Sequence, residues 1–144
     1  MLIYDDVFNW KGFGGKLKLA SGKCRLKIYD LSKDQADSLV HLKPIVVIAI
    51  DHPDSKMTVR SCSSHIATMV SQEFHVAPSR MQFVEYYPPK TYGRDGKNVI
   101  PEIFEAVDFS WIDNLAMHPK LRPLAPPLLK HLLALFADDR AGNT

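Results

Sequence analysis

The sequence of 144 residues lacks several features that would place it in a class of proteins at once. It contains no apolar run of about 18 residues, the length that spans a bilayer, so we expect no membrane-spanning helix and no membrane partner. The residues after Met1 include Asp5 and Asp6 instead of a basic segment followed by an apolar one, which does not predict a secretory signal. Both observations favour a cytoplasmic protein.

Cysteine is scarce, since only Cys24 and Cys62 occur. Two cysteines at this separation make neither a disulfide framework nor a zinc site by their spacing, and we expect two free thiols. The six histidines show no HxH, HExxH or HxxxH spacing. The sequence therefore predicts no metal site and no cofactor.

The chain has the size and composition of one globular domain, residues 1–144. Hydrophobic residues make up 46% of it and charged residues 24%, which is ordinary for a protein with a packed core. The net charge of +2 is too small to attract a polyanion to the whole surface. Any such attraction must be local.

Positive charge is concentrated in the segment from Lys11 to Lys27, which has no Asp or Glu. Cationic and apolar residues alternate there on either side of Ser21-Gly22, a pattern typical of a hairpin with one buried and one exposed face. With Ser21-Gly22 as the turn, the hairpin runs from about Gly15 to Leu31 and places Lys18 opposite Arg25. The predicted buried residues are Leu17, Leu19, Leu26 and Ile28, and the candidate anion-binding residues are Lys16, Lys18, Lys23, Arg25 and Lys27.

Like charges that face each other destabilise a pair of strands, so something must offset this basic face. The possibilities are solvent and salt, carboxylates from elsewhere in the chain, or an anionic partner. As a functional surface, the face would bind a nucleic-acid backbone or an acidic protein. As a structural one, it would be a solvated surface whose lysines prevent edge-to-edge aggregation.

The rest of the pattern predicts an α+β fold. We expect strands over Met1 to Trp10, Pro44 to Ile50, Met81 to Tyr87 and Pro101 to Trp111, and helices over Ser32 to Leu42, Ser64 to His75 and Pro127 to Ala137. The polar, glycine-containing segment Lys90 to Asn98 is predicted to be a loop. The fold is then a single-domain sheet of about five strands, mostly antiparallel, with two or three helices packed on it. The aliphatic run places Val46, Val47, Ile48 and Ile50 in the core. The second helix has a predicted buried stripe of residues at helical spacing, namely Ile66, Met69, Val70 and Phe74.

A small hydrolase-like enzyme is an alternative to a binding protein. Asp51 and His52 follow the predicted central strand, where site residues often lie, and a histidine beside an aspartate can act as a general base. Cys62 and His65 lie in a serine-rich segment at the start of a predicted helix, where backbone amides favour a thiolate. The structural interpretation is a serine cap beside a small buried cysteine. No motif assigns a catalytic residue.

Two acidic residues fall on apolar faces of predicted strands. Glu85 shares a strand face with Phe83 and Tyr87, and Asp108 shares one with Phe104. An acid in such a place is costly unless it is paired. The sequence predicts either a pair of carboxylates, which would serve acid–base chemistry or bind a divalent metal, or one ion pair with a Lys or Arg.

The C-terminal helix is richer in leucine than a single docking face requires. Its apolar stripe allows a third interpretation, a structural subunit that forms a homodimer through Leu128, Leu132, Leu135 and Phe136. The alternative is a terminal helix that is well buried in its own chain.

The segment Ser61 to Pro88 carries a serine-rich cap, Ile66-Ala67-Thr68, Phe74, Pro78, Arg80 and then Phe83-Val84-Glu85-Tyr86-Tyr87-Pro88. Together with the later Arg122-Pro123-Leu124, it resembles small uncharacterised bacterial proteins of the accessory genome, which includes mobile genetic elements. The resemblance implies a bacterial cytoplasmic protein and carries no catalytic residue across. Of the three interpretations, we favour a small binding protein that uses the basic hairpin face for an anionic macromolecule, such as nucleic acid, or for an acidic partner.

Overall fold

The computed structural model describes residues 1–13, 19–32, 43–52, 59–108 and 120–142. Within these ranges the chain forms eight strands and two α-helices. In chain order they are β1 (Leu2–Phe13), β2 (Leu19–Asp30), β3 (Ile45–Asp51), α1 (Val59–Phe74), β4 (Met81–Tyr87), β5 (Lys90–Tyr92), β6 (Asn98–Ile100), β7 (Ile103–Asp108), β8 (Lys120–Pro123) and α2 (Pro126–Gly142). The helix predicted from Ser32 to Leu42 lies, apart from Ser32, outside the described residues.

Six of these strands form one mixed sheet in the order β1-β2-β3-β4-β7-β8. Neighbours run antiparallel except β3 and β4, which are parallel and connected through α1. Strands β4 and β7 are antiparallel neighbours, and β1 lies at one edge of the sheet. The α+β class is therefore confirmed, although the described strands outnumber the predicted ones.

The aliphatic strand β3 lies inside the sheet, with a helix packed on each face. Val47 and Ala49 face α1, while Val46 and Ile48 face α2. All four are buried, because a strand covered on both sides has no polar face. The core prediction is confirmed for Val46, Val47 and Ile48. Ile50 is only partly buried, since it lies near the end of the strand.

Helix α1 buries the predicted stripe, with Ile66 and Val70 in the core and Phe74 partly buried against it. The helix begins at Val59 and not at Ser64. The Asp51 carboxylate accepts a 2.6 Å hydrogen bond from the amide of Val59, so an aspartate from the preceding strand satisfies a donor that the serines were expected to satisfy. Neither helix in the described part of the chain is long and apolar enough to cross a membrane.

Strands β1 and β2 do form a hairpin, but Ser21-Gly22 is not its turn. Gly22 lies inside β2 opposite Trp10, and the strands stay paired beyond it as far as Phe13 and Leu19. The predicted pairing of Lys18 with Arg25 is wrong, because Arg25 lies opposite Val7. Trp10 is buried, and a Cβ on Gly22 would come within 2.5 Å of its Cζ2 atom. A glycine inside a strand can mark a close approach and not a turn.

The segment Lys90 to Asn98, predicted to be a loop, contains β5 and the first residue of β6. These two short strands pair antiparallel and form a ribbon separate from the main sheet. The amide of Gly96 donates a 3.3 Å hydrogen bond to the carbonyl of Gly93, and both glycines have positive φ. Glycine adopts positive φ without strain, whereas most other residues do not, so these two glycines permit the tight turn.

Candidate functional site

The predicted anion-binding residues do not form one exposed basic face. Lys16 and Lys18 lie outside the described residues, while Lys23 and Arg25 are exposed on β2. Lys27 was predicted to be exposed and is instead 7% exposed, which contradicts that prediction. On the other face of β2, Leu26 and Ile28 are buried as expected. Leu17 and the side chain of Leu19 lie outside the described part of the chain.

An aspartate from the neighbouring strand neutralises the inner part of the basic face. Asp5 accepts hydrogen bonds from Arg25 Nε at 2.9 Å and Nη2 at 3.0 Å, and Lys27 Nζ lies 3.9 Å from its Oδ2. The hydrogen bond from Arg25 holds the pKa of Asp5 below its usual value; burial opposes this, and the charges of Arg25 and Lys27 add to it. A carboxylate from elsewhere in the chain thus offsets these like charges.

Helix α2 covers Lys27. The ammonium nitrogen of Lys27 lies 4.7 Å from the centre of the Phe136 ring, in cation–π geometry. Strand β1 contributes Asp5 and α2 contributes Phe136, so Lys27 connects three elements of the fold. These contacts hold β1 and α2 to the sheet.

Two ribbons begin at the same end of the main sheet. Strand β3 ends at Asp51, opposite Cys24, so residues 9–13 and 19–23 pair beyond it and form what we call the β1–β2 ribbon. Strand β4 is parallel to β3 and ends at that same end, where it leads into residues 90–100, which we call the β5–β6 ribbon. Basic residues in both ribbons are therefore brought to one end of the protein.

The β5–β6 ribbon is exposed along its whole length. The register places Lys90 opposite Ile100 and Tyr92 opposite Asn98. These four side chains share one face, because alternate residues of a strand point the same way. Tyr92 is 56% exposed and Ile100 43% exposed.

The tip of this ribbon is basic. Arg94 is exposed within the turn, and Lys97 follows it. Lys97 Nζ lies 3.6 Å from Asp95 Oδ2, with 82% of the lysine side chain exposed, so this pair remains accessible to a ligand. An ion pair this exposed contributes little to stability. Lys97 can therefore leave Asp95 and pair with a ligand anion at little cost.

A cleft of about 410 Å³ lies beside the base of the β1–β2 ribbon. It is lined by Asp5, Asp6, Val7, Arg25, Ile50, Asp51 and His52. Two residues of the enzyme alternative, Asp51 and His52, thus meet in one cleft. His65 lies on α1 and does not line it, and the side chain of Cys62 is outside the described part of the structure. Among the described residues, no group of three His, Cys, Asp or Glu is placed to hold a metal ion.

Glu85 and Asp108 lie on opposite faces of the sheet, so the predicted pair of carboxylates does not form. Asp108 makes an ion pair with Arg122 Nη2 of β8 at 2.5 Å, as the structural alternative expected. Glu85 is 1% exposed and accepts a hydrogen bond from the Tyr87 hydroxyl. Its cross-strand neighbour is Glu105, which the sequence did not reveal because the register of β4 with β7 depends on the length of the ribbon between them.

The leucine-rich helix α2 packs on its own sheet. Leu132 is fully buried and Phe136 is 5% exposed within the single chain, so these two side chains are not available to a second copy. Leu128 and Leu135 are partly buried against the same cluster. The stripe is thus that of a well-buried terminal helix, and a homodimer through its remaining exposed residues stays a prediction.

We compared the chain with protein families, curated proteins and solved structures, and none of them matches it. The resemblance to bacterial accessory-genome proteins therefore stays a prediction, and the function must be argued from the residues of the chain.

Proposed function

We propose that the protein binds nucleic acid through the two ribbons at one end of its sheet. The observation that carries the proposal is the uneven distribution of charge. In the described part of the β1–β2 ribbon, residues 9–13 and 19–23 hold two lysines and no acid, and residues 90–100 hold two lysines, one arginine and one aspartate. These segments carry a charge of +4 in a chain of net charge +2, so the remaining residues carry −2.

This distribution gives the protein a positive end although its net charge is small. A local cluster of Lys and Arg attracts phosphates and orients the encounter, while the acidic remainder repels them. The revised set of binding residues is Lys23, Lys90, Arg94 and Lys97, all exposed and all on the ribbons. We exclude Arg25 and Lys27 from the binding residues, because both already form ion pairs with Asp5.

The ribbons favour nucleic acid over an acidic protein. A face that combines Lys90, Tyr92 and Asn98 offers a cation for phosphate, an aromatic ring for a base and an amide for a base edge. A nucleotide presents a phosphate, a base face and a base edge within one unit, which matches these three groups.

Matched charge reversals test the proposal. The test variant, Lys90→Glu with Arg94→Glu, reverses two charges of the β5–β6 ribbon. The control variant, Lys43→Glu with Arg80→Glu, makes the same change in net charge at the opposite end of the sheet, where β3 and β4 begin. We expect the ribbon variant to lose at least about 10-fold in affinity for a 20-nucleotide probe at roughly 50 mM salt, because two phosphate contacts become repulsive. The control variant should lose much less.

Equal losses in the two variants would show that only net charge matters, and the proposal would then be wrong. Wild-type protein that binds neither single-stranded nor double-stranded probe would also contradict it. Retention of an acidic polypeptide but not of nucleic acid by the same ribbon would assign the surface to a protein partner instead.

A further inference from the structure

The β5–β6 ribbon presents an aromatic ring that the protein itself does not use. Tyr92 is 56% exposed, and no aromatic ring contact or hydrogen bond of its side chain is found among the described residues. By contrast Tyr86, a few residues earlier, packs against Phe104 and Phe136 and donates a hydrogen bond to Glu102. A large exposed aromatic side chain in a basic setting is typical of a binding surface.

The ribbon gains little stability from its own chain. An isolated two-stranded hairpin is marginally stable in water, and here residues 88–101 are all exposed. Contact with a ligand would therefore order Tyr92 and its neighbours as well as cover them. The tight Gly93–Gly96 turn limits the freedom of the tip and lowers the entropy that is lost when a ligand binds.

The neighbours of Tyr92 on the same face suit one kind of ligand. Lys90 lies two residues away on the same strand, about 7 Å along it, where a long side chain can reach a phosphate beside a stacked base. Asn98 lies directly opposite the tyrosine, about 5 Å across the pair, with donors and an acceptor for a base edge. Ile100 extends the apolar surface beside the ring.

We infer that Tyr92 stacks on an unpaired base, and that the nucleic acid this protein prefers is single-stranded. The inference rests on the proposed function and specifies its ligand. A base inside a duplex already stacks on both sides, so it offers no free face to a tyrosine, whereas every unpaired base does. Stacking also tolerates any sequence, which fits a surface with one aromatic ring and several cations.

The test measures binding to a fluorescent 20-nucleotide single strand and to its duplex at about 50 mM salt, by anisotropy. Tyr92→Ala should weaken binding to the single strand by about 5- to 140-fold, the range expected for the loss of one stacked base. Tyr92→Phe keeps the ring and should retain affinity within about twofold. Val99→Ala, on the other face of the same ribbon, is the control for damage to the hairpin.

The outcomes separate the inference from the proposed function. Binding to the single strand that Tyr92→Ala leaves unchanged would overturn the stacking role while the charge-based proposal stands. Equal losses with single strand and duplex, or an equal loss in Val99→Ala, would show a structural effect on the ribbon and would also overturn it. If the wild-type protein binds neither probe, both the proposed function and the inference are wrong.

Discussion

The indole ring of Trp10 lies across Gly22 on the adjacent strand, so closely that a Cβ on Gly22 would be 2.5 Å from Cζ2 and 2.7 Å from Cε2. The two residues are direct partners in the register of β1 with β2. Trp10 also belongs to the core cluster that packs on α1. This contact fixes the register of the hairpin and anchors the base of the β1–β2 ribbon, because an aromatic ring over a strand glycine fills the space where a side chain would be.

We expect Gly22→Ala to lower the free energy of unfolding by about 1–3 kcal/mol, since the added methyl group overpacks a site already filled by the indole. The measurement is denaturant unfolding of the single variant and of the pair with Trp10→Leu. Because the cost arises from the ring, the alanine should cost less than half as much in the Trp10→Leu background. Equal costs in both backgrounds would show that the ring is not the cause.

The carboxylate of Asp5 should stabilise the fold in a pH-dependent way. Asp5→Asn should cost about 1–2 kcal/mol at neutral pH, because a charged acceptor of two hydrogen bonds from Arg25 is lost. The folded protein holds the pKa of Asp5 below its unfolded value of 3.8, so its contribution is complete above that pH. It is lost as the pH falls through the lower folded pKa.

The difference in stability between wild type and Asp5→Asn should therefore be constant near neutral pH and shrink in acid. Asp95→Asn is a matched control, because Asp95 is 57% exposed and its ion pair with Lys97 is at the surface. That control should change stability by less than about 0.5 kcal/mol. A difference for Asp5→Asn that grows as the pH falls would have the wrong sign for this account.

Truncation of the central strand should have the effect of a buried cavity. Ile48 is fully buried between β3 and α2, so Ile48→Ala should cost about 2–5 kcal/mol in a denaturant titration. Ile100→Ala removes the same atoms from an exposed position of the β5–β6 ribbon and should cost less than about 0.5 kcal/mol. A cost below about 1 kcal/mol for Ile48→Ala would argue against a core position.

Hydrophobic patterns alone located the elements that lie within the core. The aliphatic run around Ile48 and the helical spacing of Ile66 and Val70 predicted β3 and the buried face of α1, because burial selects apolar residues directly. The hairpin turn was wrong for a physical reason. Position 22 requires a glycine because the Trp10 ring packs on it. That contact joins two strands and is not visible in the sequence, where the glycine has the appearance of a turn residue.

The candidate site was harder to predict because it depends on contacts between distant residues. Lys27 has the spacing of an exposed residue, yet Asp5 and Phe136, from opposite ends of the chain, bury it. The β5–β6 ribbon looked like a loop, since its polar and glycine residues carry no alternation of apolar groups. Its place in the fold depends on the parallel pairing of β3 with β4, which brings the ends of both strands to the same end of the sheet and which the sequence pattern did not predict.

The salt dependence of binding tests the central claim most directly. If Lys23, Lys90, Arg94 and Lys97 each neutralise one phosphate of a single strand, the logarithm of the binding constant should fall with the logarithm of salt concentration with a slope of about −3. Affinity should then drop roughly 50-fold between 50 and 200 mM salt, and Lys90→Glu with Arg94→Glu should make the slope shallower. No binding at about 50 mM salt, or a slope that this ribbon variant leaves unchanged, would contradict the account.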